Sequence, residues 1–153
     1  MFRGSRTVDT TRPKGTKITR SGQIGRLPAK YSFILNPYLD VRFSRCPRCR
    51  KLTYLRKFAL LIHLERIGLR FFGKTCRYCP NCKLIIAHQN ELERELARIV
   101  STSSRKLTDD DYLVIGTVTL SIWRNSLLRP MALENILHHA ADFKQYSRIQ
   151  PKG

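Results

Sequence analysis

The chain has 153 residues, of which 42% are hydrophobic, so it can form a core. Lys and Arg number 29 against 11 Asp and Glu, and the resulting net charge of +18 favours nucleic acid over an anionic membrane surface as the partner. The longest apolar run, residues 58–62, is much shorter than the ~20 residues of a membrane span, so no membrane insertion is expected.

Residues 1–30 are predicted to form a disordered basic arm that binds nucleic acid. They contain a single acidic residue, Asp9, and glycines and threonines separate their positive charges. Because large apolar side chains are few, the segment cannot bury enough surface to offset the entropy lost on ordering. A solvated linker is the alternative interpretation. The arm residues expected to contact phosphates are Arg12, Lys14, Lys17, Arg20, Arg26 and Lys30.

Several short strands are predicted after the arm. Order is expected to begin at the apolar stretch 31–35. Apolar and polar side chains alternate over residues 52–64, which indicates a strand with one buried face. A turn at Gly68 is expected to lead into a second strand that ends at Gly73, and residues 83–87 are predicted to form a third.

A helix, a strand and a second helix are predicted in the rest of the chain. Asn90 is followed three residues later by a glutamate, which is the spacing of a helix N-cap, and the helix should end near Val100. β-branched and aromatic residues over 112–123 predict a strand with a bulge at Gly116. A last helix is expected after Pro130, with an apolar stripe formed by Leu133, Ile136, Leu137, Ala140 and Phe143.

Two Cys-Pro-x-Cys motifs, Cys46–Cys49 and Cys79–Cys82, carry the clearest chemistry in the sequence. Two residues between the thiols let both sulfurs point inward, and the proline stiffens the turn. Four such thiolates close a tetrahedral shell, so one structural zinc ion is expected rather than a catalytic one. No secretory signal is visible, so the cytoplasm is the expected location, where clustered cysteines are metal ligands more often than disulfides.

One of the four zinc ligands has an alternative. Cys76 also lies three residues before Cys79, so a second set competes with the preferred one: Cys46, Cys49, Cys76 and Cys79. The set with Cys82 is preferred because only it repeats the Cys-Pro-x-Cys pattern. His88 is a weaker candidate, since a lone histidine after a strand more often packs than coordinates a metal.

Residues 43–88, with both cysteine motifs and the hairpin between them, resemble the zinc-ribbon group of small domains. The resemblance implies β-hairpins around a structural zinc ion, and it identifies a module rather than a particular family. Members of this group occur in ribosomal proteins, transcription factors, polymerase subunits and transposon-associated nucleases, so the resemblance leaves the function open.

The expected fold class is therefore a small α+β protein with three parts. The basic arm over 1–30 precedes a zinc ribbon with β-hairpin arms and a following helix over 31–100. Residues 101–104 interrupt the helical pattern and are predicted to join the ribbon to a strand-helix segment over 105–147. That segment is expected to pack on the ribbon or on a partner protein.

The positive charge is concentrated in the arm and the ribbon. Between residues 41 and 79 there are eleven Lys and Arg against one acid, Glu65, whereas residues 83–153 are nearly balanced. Cations contact phosphates and exposed rings stack on bases, and Tyr78 is expected to be such a ring. The ribbon residues predicted to bind nucleic acid are Arg45, Arg48, Arg50, Lys51, Arg56, Lys57, Arg70, Lys74, Arg77 and Tyr78.

These features predict a non-enzymatic nucleic-acid-binding protein without a small-molecule substrate. Structured RNA in or on the ribosome is favoured, because a basic arm joined to a zinc-stabilised domain is a common architecture among ribosomal proteins. A DNA-binding accessory subunit of a transcription, transposition or nuclease complex is the alternative. A protein partner is expected for the C-terminal segment. The run Asp109–Asp111 is interpreted as a solvated turn, because consecutive side chains do not all face one ion.

Overall fold

The computed structural model describes residues 23–100, 107–108 and 110–149. Within these ranges seven strands form one sheet: β1 (Ser32–Asn36), β2 (Tyr54–Leu64), β3 (Gly68–Cys79), β4 (Leu84–His88), β5 (Tyr112–Val118), β6 (Ala140–Asp142) and β7 (Tyr146–Arg148). Three helices accompany the sheet: α1 (Gln89–Val100), α2 (Leu120–Leu128) and α3 (Leu133–Leu137). None of these described helices is long and apolar enough to cross a bilayer.

The sheet is mixed, with the strand order β6-β5-β2-β3-β4-β1-β7. Its centre is the long antiparallel hairpin of β2 and β3. On one side, β5 and β6 continue the antiparallel pairing from β2. On the other side, β4 is antiparallel to β3, β1 is parallel to β4, and β7 is parallel to β1. The C-terminal segment therefore completes the sheet of the ribbon part at both edges.

The first face of the sheet carries the larger hydrophobic core. Alternate side chains of β2 from Phe58 to Leu64 are buried in it, because side chains of a strand point to opposite faces in turn. Leu92 and Leu96 of α1 cover this face and are fully buried. Most of the hydrophobic stabilisation should arise here, since free energy scales with the apolar area removed from water.

The second face carries two smaller cores. Ala59 and Leu61 of β2 pack there beneath the segment that contains α2 and α3. Further along the sheet, a separate cluster joins Ile34, Leu84 and Ile86 to the cysteines of the two Cys-Pro-x-Cys motifs. The cysteines are therefore anchored on the β1–β4 half of the sheet, away from the helices of the other half.

β2 is a strand as predicted, but both of its faces are buried from Phe58 to Ile62. Ala59 and Leu61, between the residues of the first core, are only 1% and 0% exposed. The start of the strand is instead open to solvent, since Leu52 and Tyr54 are 65% and 47% exposed. The alternation of residue types therefore predicts the strand but not which part of it the other elements cover.

The prediction that the second strand ends at Gly73 is wrong, because β3 continues to Cys79. Gly73 has a packing role instead. A Cβ atom at this position would lie 2.5 Å from the Trp123 ring, so only glycine lets α2 approach the strand this closely. The extra length of β3 carries Cys79 to the start of β2.

Two predicted boundaries, the start of α1 and the end of the strand over 112–123, are wrong. α1 begins at Gln89, so Asn90 lies in its first turn and is not the N-cap. The predicted strand over 112–123 ends at Val118, and its last residues belong to α2, which begins at Leu120. The bulge is confirmed, because Leu61 and Ile62 of β2 pair with Gly116 and Val114 and leave one residue of β5 between them.

The predicted last helix is also wrong. α3 has only five residues, and the chain then forms β6 and β7, neither of which was predicted. Ala140 lies in β6 within the second-face core, whereas Phe143 belongs to the first-face core. The five apolar residues of the predicted stripe therefore do not lie along one helix.

Packed structure begins earlier than residue 31, inside the predicted arm. The backbone amides of Ile24 and Gly25 donate to the carboxylate of Asp142, and Leu27 forms a β-bridge with Ala141. The end of the predicted arm is therefore bound to the β6 edge of the sheet. Residues 1–22 and the predicted joint at 101–104 lie outside the described residues.

Candidate metal centre

The first cysteine pair lies in a tight loop between β1 and β2. The backbone N–H of Cys46 donates to the carbonyl of Lys51 at 2.8 Å, and the N–H of Arg50 donates to the carbonyl of Cys46 at 2.9 Å. The N–H of Arg48 donates to Cys46 Sγ at 3.3 Å. The backbone of the loop thus fixes the position of Cys46 and its sulfur.

The second cysteine pair lies at the turn between β3 and β4. Cys79 is the last residue of β3 and pairs with Leu84 of β4, so the ladder fixes both ends of the turn that carries Cys82. The N–H of Cys82 donates to Cys79 Sγ at 3.4 Å. Because β3 is antiparallel to β2, this turn lies at the end of the hairpin where β2 begins and the first loop is close.

The four sulfurs of the two pairs form one compact cluster. The ligand atoms of Cys46, Cys49, Cys79 and Cys82 all lie within 4.8 Å of one another. Across the pairs, Cys49 Sγ is 3.5 Å from Cys79 Sγ, and Cys46 Sγ is 3.9 Å from Cys82 Sγ. A tetrahedral ion with metal–sulfur bonds of about 2.3 Å has sulfur–sulfur edges of about 3.8 Å. The cluster therefore has the dimensions of a four-thiolate metal site.

Cys76 is not part of this cluster. It lies three residues before Cys79 on the same strand, so its side chain points to the opposite face and is buried in the first core. Its Sγ contacts the carbonyl of Lys74 at 3.6 Å, and burial raises the pKa of the thiol to about 12. His88 ends β4 and is likewise outside the cluster. The alternative ligand set with Cys76 is wrong in this structure.

The thiols of the cluster differ in acidity. A hydrogen bond from the backbone of Lys51 lowers the pKa of Cys49 to about 6. Burial, together with the neighbouring thiols, raises the pKa of Cys82 to about 12, and burial also raises the pKa of Cys79. Sulfurs this close repel one another when all are ionised. A divalent cation between them offsets that repulsion and holds four thiolates together.

The structure divides the predicted nucleic-acid-binding residues by exposure. Part of the set lies outside the described residues: Arg12, Lys14, Lys17 and Arg20. The largest group is exposed to solvent: Lys30, Arg45, Arg48, Arg50, Lys51, Arg56, Lys57 and Arg70. Six of these exposed cations lie within a short stretch of the chain that covers the first cysteine loop and the start of β2: Arg45, Arg48, Arg50, Lys51, Arg56 and Lys57.

Three further cations of the predicted set either form an ion pair with a glutamate of this chain or are half-buried. Arg26 forms an ion pair with Glu134 at 3.1 Å, and both side chains are largely exposed. Lys74 pairs with Glu91 at 3.0 Å and is only 12% exposed, and this pair lowers the pKa of the glutamate. Arg77 is half-buried between β2 and β4. Lys74 in particular is poorly placed to reach an external phosphate.

The prediction that Tyr78 presents an exposed ring is wrong. Tyr78 is 4% exposed, and its ring packs edge-on against Tyr31 and Tyr54. The Arg56 guanidinium lies 5.1 Å from the centre of the Tyr78 ring, and burial raises the pKa of the Tyr78 hydroxyl. Tyr54, at 47% exposure, is the ring of this group that solvent reaches. Sequence alternation alone could not separate the two tyrosines.

Two features of the centre have no signal in the sequence. The side chain of Asn81 in the second motif hydrogen-bonds to the Cys49 thiol of the first, which helps to lower the pKa of that thiol. Arg50 and Lys83, each directly after the second cysteine of its pair, have φ angles of 69° and 54°. Glycine usually occupies such left-handed positions. Because neither residue is a glycine, the sequence does not indicate this backbone conformation.

Asp111 closes the turn before β5. Its carboxylate accepts hydrogen bonds from the backbone N–H of Thr108 at 2.9 Å and from the Thr108 hydroxyl at 3.3 Å. Asp110 beside it is exposed, and Asp109 lies outside the described residues. The two described aspartates of the run therefore serve a turn, as interpreted from the sequence, but Asp111 is buried rather than solvated.

No protein-family model matches the chain, and no curated protein or solved structure shows significant similarity to it. The function is therefore inferred from the cysteine cluster, the charge distribution and the exposed residues of this chain.

Proposed function

We propose that this protein is a non-enzymatic nucleic-acid-binding protein with one structural zinc ion, and that it binds structured RNA as a ribosomal or ribosome-associated component. The observation that carries the proposal is the exposed cationic stretch beside the cysteine cluster. Among the described residues this stretch has no acidic partner, so its charge is available to an external polyanion.

Zinc suits the four-thiolate centre best. Thiolates are soft ligands, and zinc accepts four of them in a tetrahedron without a geometric preference of its own. Four protein ligands leave no position for a reactive water, so the ion joins the first loop to the β3–β4 turn and has no catalytic role. Elemental analysis of the purified chain should find one zinc per chain.

The cationic stretch comprises six exposed residues: Arg45, Arg48, Arg50, Lys51, Arg56 and Lys57. The ion pairs of the described residues involve other cations: Arg26 with Glu134, Lys74 with Glu91, and Arg98 with Glu95. Each phosphate that such a cation contacts releases condensed counterions, which is the main source of affinity for nucleic acid. The metal centre holds the loop that presents four of the six.

The backbone around the cysteines gives separate support. Arg50 and Lys83 occupy left-handed positions that cost roughly 1–2 kcal/mol for residues with a Cβ atom. Both positions carry a cation where glycine would be more stable. Strain of this kind is often retained at functional positions, and here it keeps positive charge next to the thiolates at both turns.

RNA is favoured over DNA because of the exposed ring of Tyr54. Unpaired bases in RNA loops and bulges stack on aromatic side chains, whereas a DNA duplex offers no free base face. Tyr54 lies between the cations of the first loop and those of β2 and is half exposed. The same surface can therefore contact phosphates and an unstacked base.

Binding of the zinc-loaded full chain to labelled nucleic acids tests the proposal. An RNA hairpin with an unpaired loop and a fully paired DNA duplex of the stem sequence are compared by fluorescence anisotropy over a range of salt concentrations. We expect the logarithm of the RNA affinity to fall with the logarithm of salt with a slope of about −3 or steeper. A flat salt response rejects the proposal. Equal or tighter DNA binding rejects the RNA assignment and supports the DNA-binding accessory subunit instead.

Variants locate the binding surface. Arg48→Glu and Lys51→Glu should each weaken RNA binding by about tenfold or more, because a phosphate contact becomes repulsive. Arg94→Glu is the matched control, since Arg94 is exposed on α1 and the change in net charge is the same. Equal losses in all three variants would show that only the net charge matters and that the stretch is not the site.

A further inference from the structure

β2 has neighbouring strands on both sides only from Ala59 onward. β3 pairs with the whole of β2, but β5 pairs with it only from Ala59 to Leu64. β5 ends at Val118, and the chain then leaves the sheet to form α2. Residues 54–58 therefore have a free edge, beside which no strand of the described residues lies.

A groove of about 640 Å³ lies along this free edge. Its lining comes from three separate stretches, residues 27–31, 56–59 and 117–120, together with His139 and Ala141. Its volume falls within the range of about 300–1,000 Å³ that proteins use for ligand sites. Most of the lining side chains are apolar, so the groove can bury small apolar groups beside the strand.

Positive charge flanks the groove on both faces of the sheet. On the first face, Lys30 Nζ and the Arg56 guanidinium lie 5.2 Å and 5.9 Å from the centre of the Tyr31 ring. On the second face, Lys57 Nζ lies 5.3 Å from the Trp123 ring. No carboxylate is among the lining residues. An occupant of the groove should therefore carry negative charge on both of its own faces.

The charges and the rings exclude the other obvious occupants. A second copy of this chain would bring the same cations to the edge, and residues 1–22 contain six basic residues against one acid. Both would be repelled. A nucleic-acid base would need a free ring face, but Tyr31 and Phe58 in the lining are only 8% and 4% exposed. An acidic polypeptide remains as the occupant that fits.

We propose that the free edge of β2 binds an extended segment of a partner protein that carries two neighbouring acidic residues. The segment adds a strand beside residues 54–58, and its backbone pairs with the groups that β5 leaves free. Neighbouring residues of a strand face opposite ways, so one acid meets Arg56 and Lys30 and the next meets Lys57. Small apolar side chains on either side enter the groove. The site shares Arg56 and Lys57 with the cationic stretch proposed to bind nucleic acid, so the two ligands should compete there, but binding of the acidic segment does not require nucleic acid.

A model peptide tests the proposal on the zinc-loaded full chain. The probe is a fluorescein-labelled Ser-Val-Glu-Glu-Val-Ser peptide, followed by anisotropy, with two-dimensional NMR of the ¹⁵N-labelled protein. We expect saturable binding below about 1 mM and shifts concentrated at the amides of residues 54–58. A version N-methylated at its four central residues keeps the charge but lacks the N–H donors, and it should bind at least about tenfold more weakly.

Charge variants complete the test. Lys57→Glu should weaken binding of the peptide by about tenfold, whereas Arg94→Glu, with the same change in net charge, should leave it unchanged. A peptide with one Glu replaced by Lys should bind Lys57→Glu better than it binds the natural protein. Equal binding of the N-methylated peptide, shifts outside residues 54–58, or no binding at 1 mM overturns the proposal. So does an eight-nucleotide oligouridylate whose binding Lys57→Glu weakens as much as it weakens the peptide while Arg48→Glu, outside the groove, leaves it unchanged, since the groove itself would then be the nucleic-acid site.

Discussion

At the residue scale, Cys76 and Cys82 show how one strand separates two cysteines of equal appearance in the sequence. Each lies three residues from Cys79, so spacing alone makes either a partner for it. Cys76 is inside β3 and buried in the first core, whereas Cys82 is in the turn after β3 and joins the sulfur cluster. The regular strand fixes the direction of Cys76, and the turn lets Cys82 face the other three sulfurs of the cluster.

Alanine variants of these two cysteines should have opposite effects. Cys82→Ala should lower the zinc content well below one per chain and destabilise the first loop, because one of four ligands is lost. Cys76→Ala should keep full zinc while lowering the free energy of unfolding by about 1–2 kcal/mol through the lost packing. Zinc content by elemental analysis and urea denaturation measure both effects. Full zinc in Cys82→Ala would contradict the ligand assignment.

Zinc binding should release protons. Because the pKa of Cys82 is raised to about 12 and that of Cys79 is also raised, both thiols carry protons at pH 7.5, whereas Cys49, with a pKa of about 6, is already ionised. Binding must displace at least the first two protons, so affinity should fall about 100-fold or more per pH unit on acidification. Calorimetry in buffers of different ionisation enthalpy counts the protons. A count near zero would contradict this.

At the element scale, the β2–β3 hairpin brings the two cysteine turns together. Its antiparallel register puts Tyr54 opposite Tyr78, so the start of β2 and the end of β3 lie side by side. The first loop precedes β2 directly and the second turn follows β3 directly, which places both at this end. Two turns far apart in the sequence thus form one cysteine cluster because β2 and β3 pair along the whole hairpin between them.

Arg50, which has a left-handed backbone conformation in the first loop, allows a prediction about stability. Arg50→Gly should raise the free energy of unfolding by about 0.5–1 kcal/mol, because glycine adopts its φ of 69° without strain. The control is Lys51→Gly, at the next position, where φ is not positive and the free energy of unfolding should fall by about 0.5–1 kcal/mol.

Thermal and urea denaturation of the zinc-loaded variants measure the difference. The same Arg50→Gly protein should bind the RNA hairpin more weakly than the natural protein, because a cation of the exposed stretch is lost. Destabilisation by Arg50→Gly comparable to that of Lys51→Gly would show that the position is not strained.

At the scale of the whole molecule, the packed structure includes a part of the basic N-terminal region. The carboxylate of Asp142 accepts hydrogen bonds from the amides of Ile24 and Gly25, at 2.6 Å from the second. Leu27 continues the contact through its bridge to Ala141. Residues 24–27 of the predicted arm therefore belong to the packed structure.

Two truncations distinguish these parts. Removal of residues 1–22 should leave the melting temperature and zinc content unchanged, while lowering the affinity for nucleic acid through the loss of six cations. Removal of residues 1–30 should also destabilise the protein by several kcal/mol, because the buried carboxylate of Asp142 loses its hydrogen bonds from the amides of Ile24 and Gly25. Equal stability of the two truncated proteins would show that residues 24–27 do not support the fold.

The sequence by itself determined the features that depend on local chemistry. The repeated Cys-Pro-x-Cys pattern indicated the four cysteines that cluster, because only the set with Cys82 repeats it, although spacing alone also allowed Cys76. The long strand β2 and the helix α1 follow from their periodicity, although the start of the helix was misplaced. The concentration of positive charge in the first half of the chain is likewise a property of composition alone.

Only the tertiary structure decided which surfaces are covered. Burial of Tyr78, the two-sided burial of β2, and the conversion of the predicted last helix into α3, β6 and β7 all depend on segments that meet from distant parts of the chain. The same is true of the free edge at residues 54–58, which exists because β5 ends at Val118. Local residue patterns indicate which face of a segment is suited to burial. Whether that face is covered depends on the segments that pack against it from other parts of the chain.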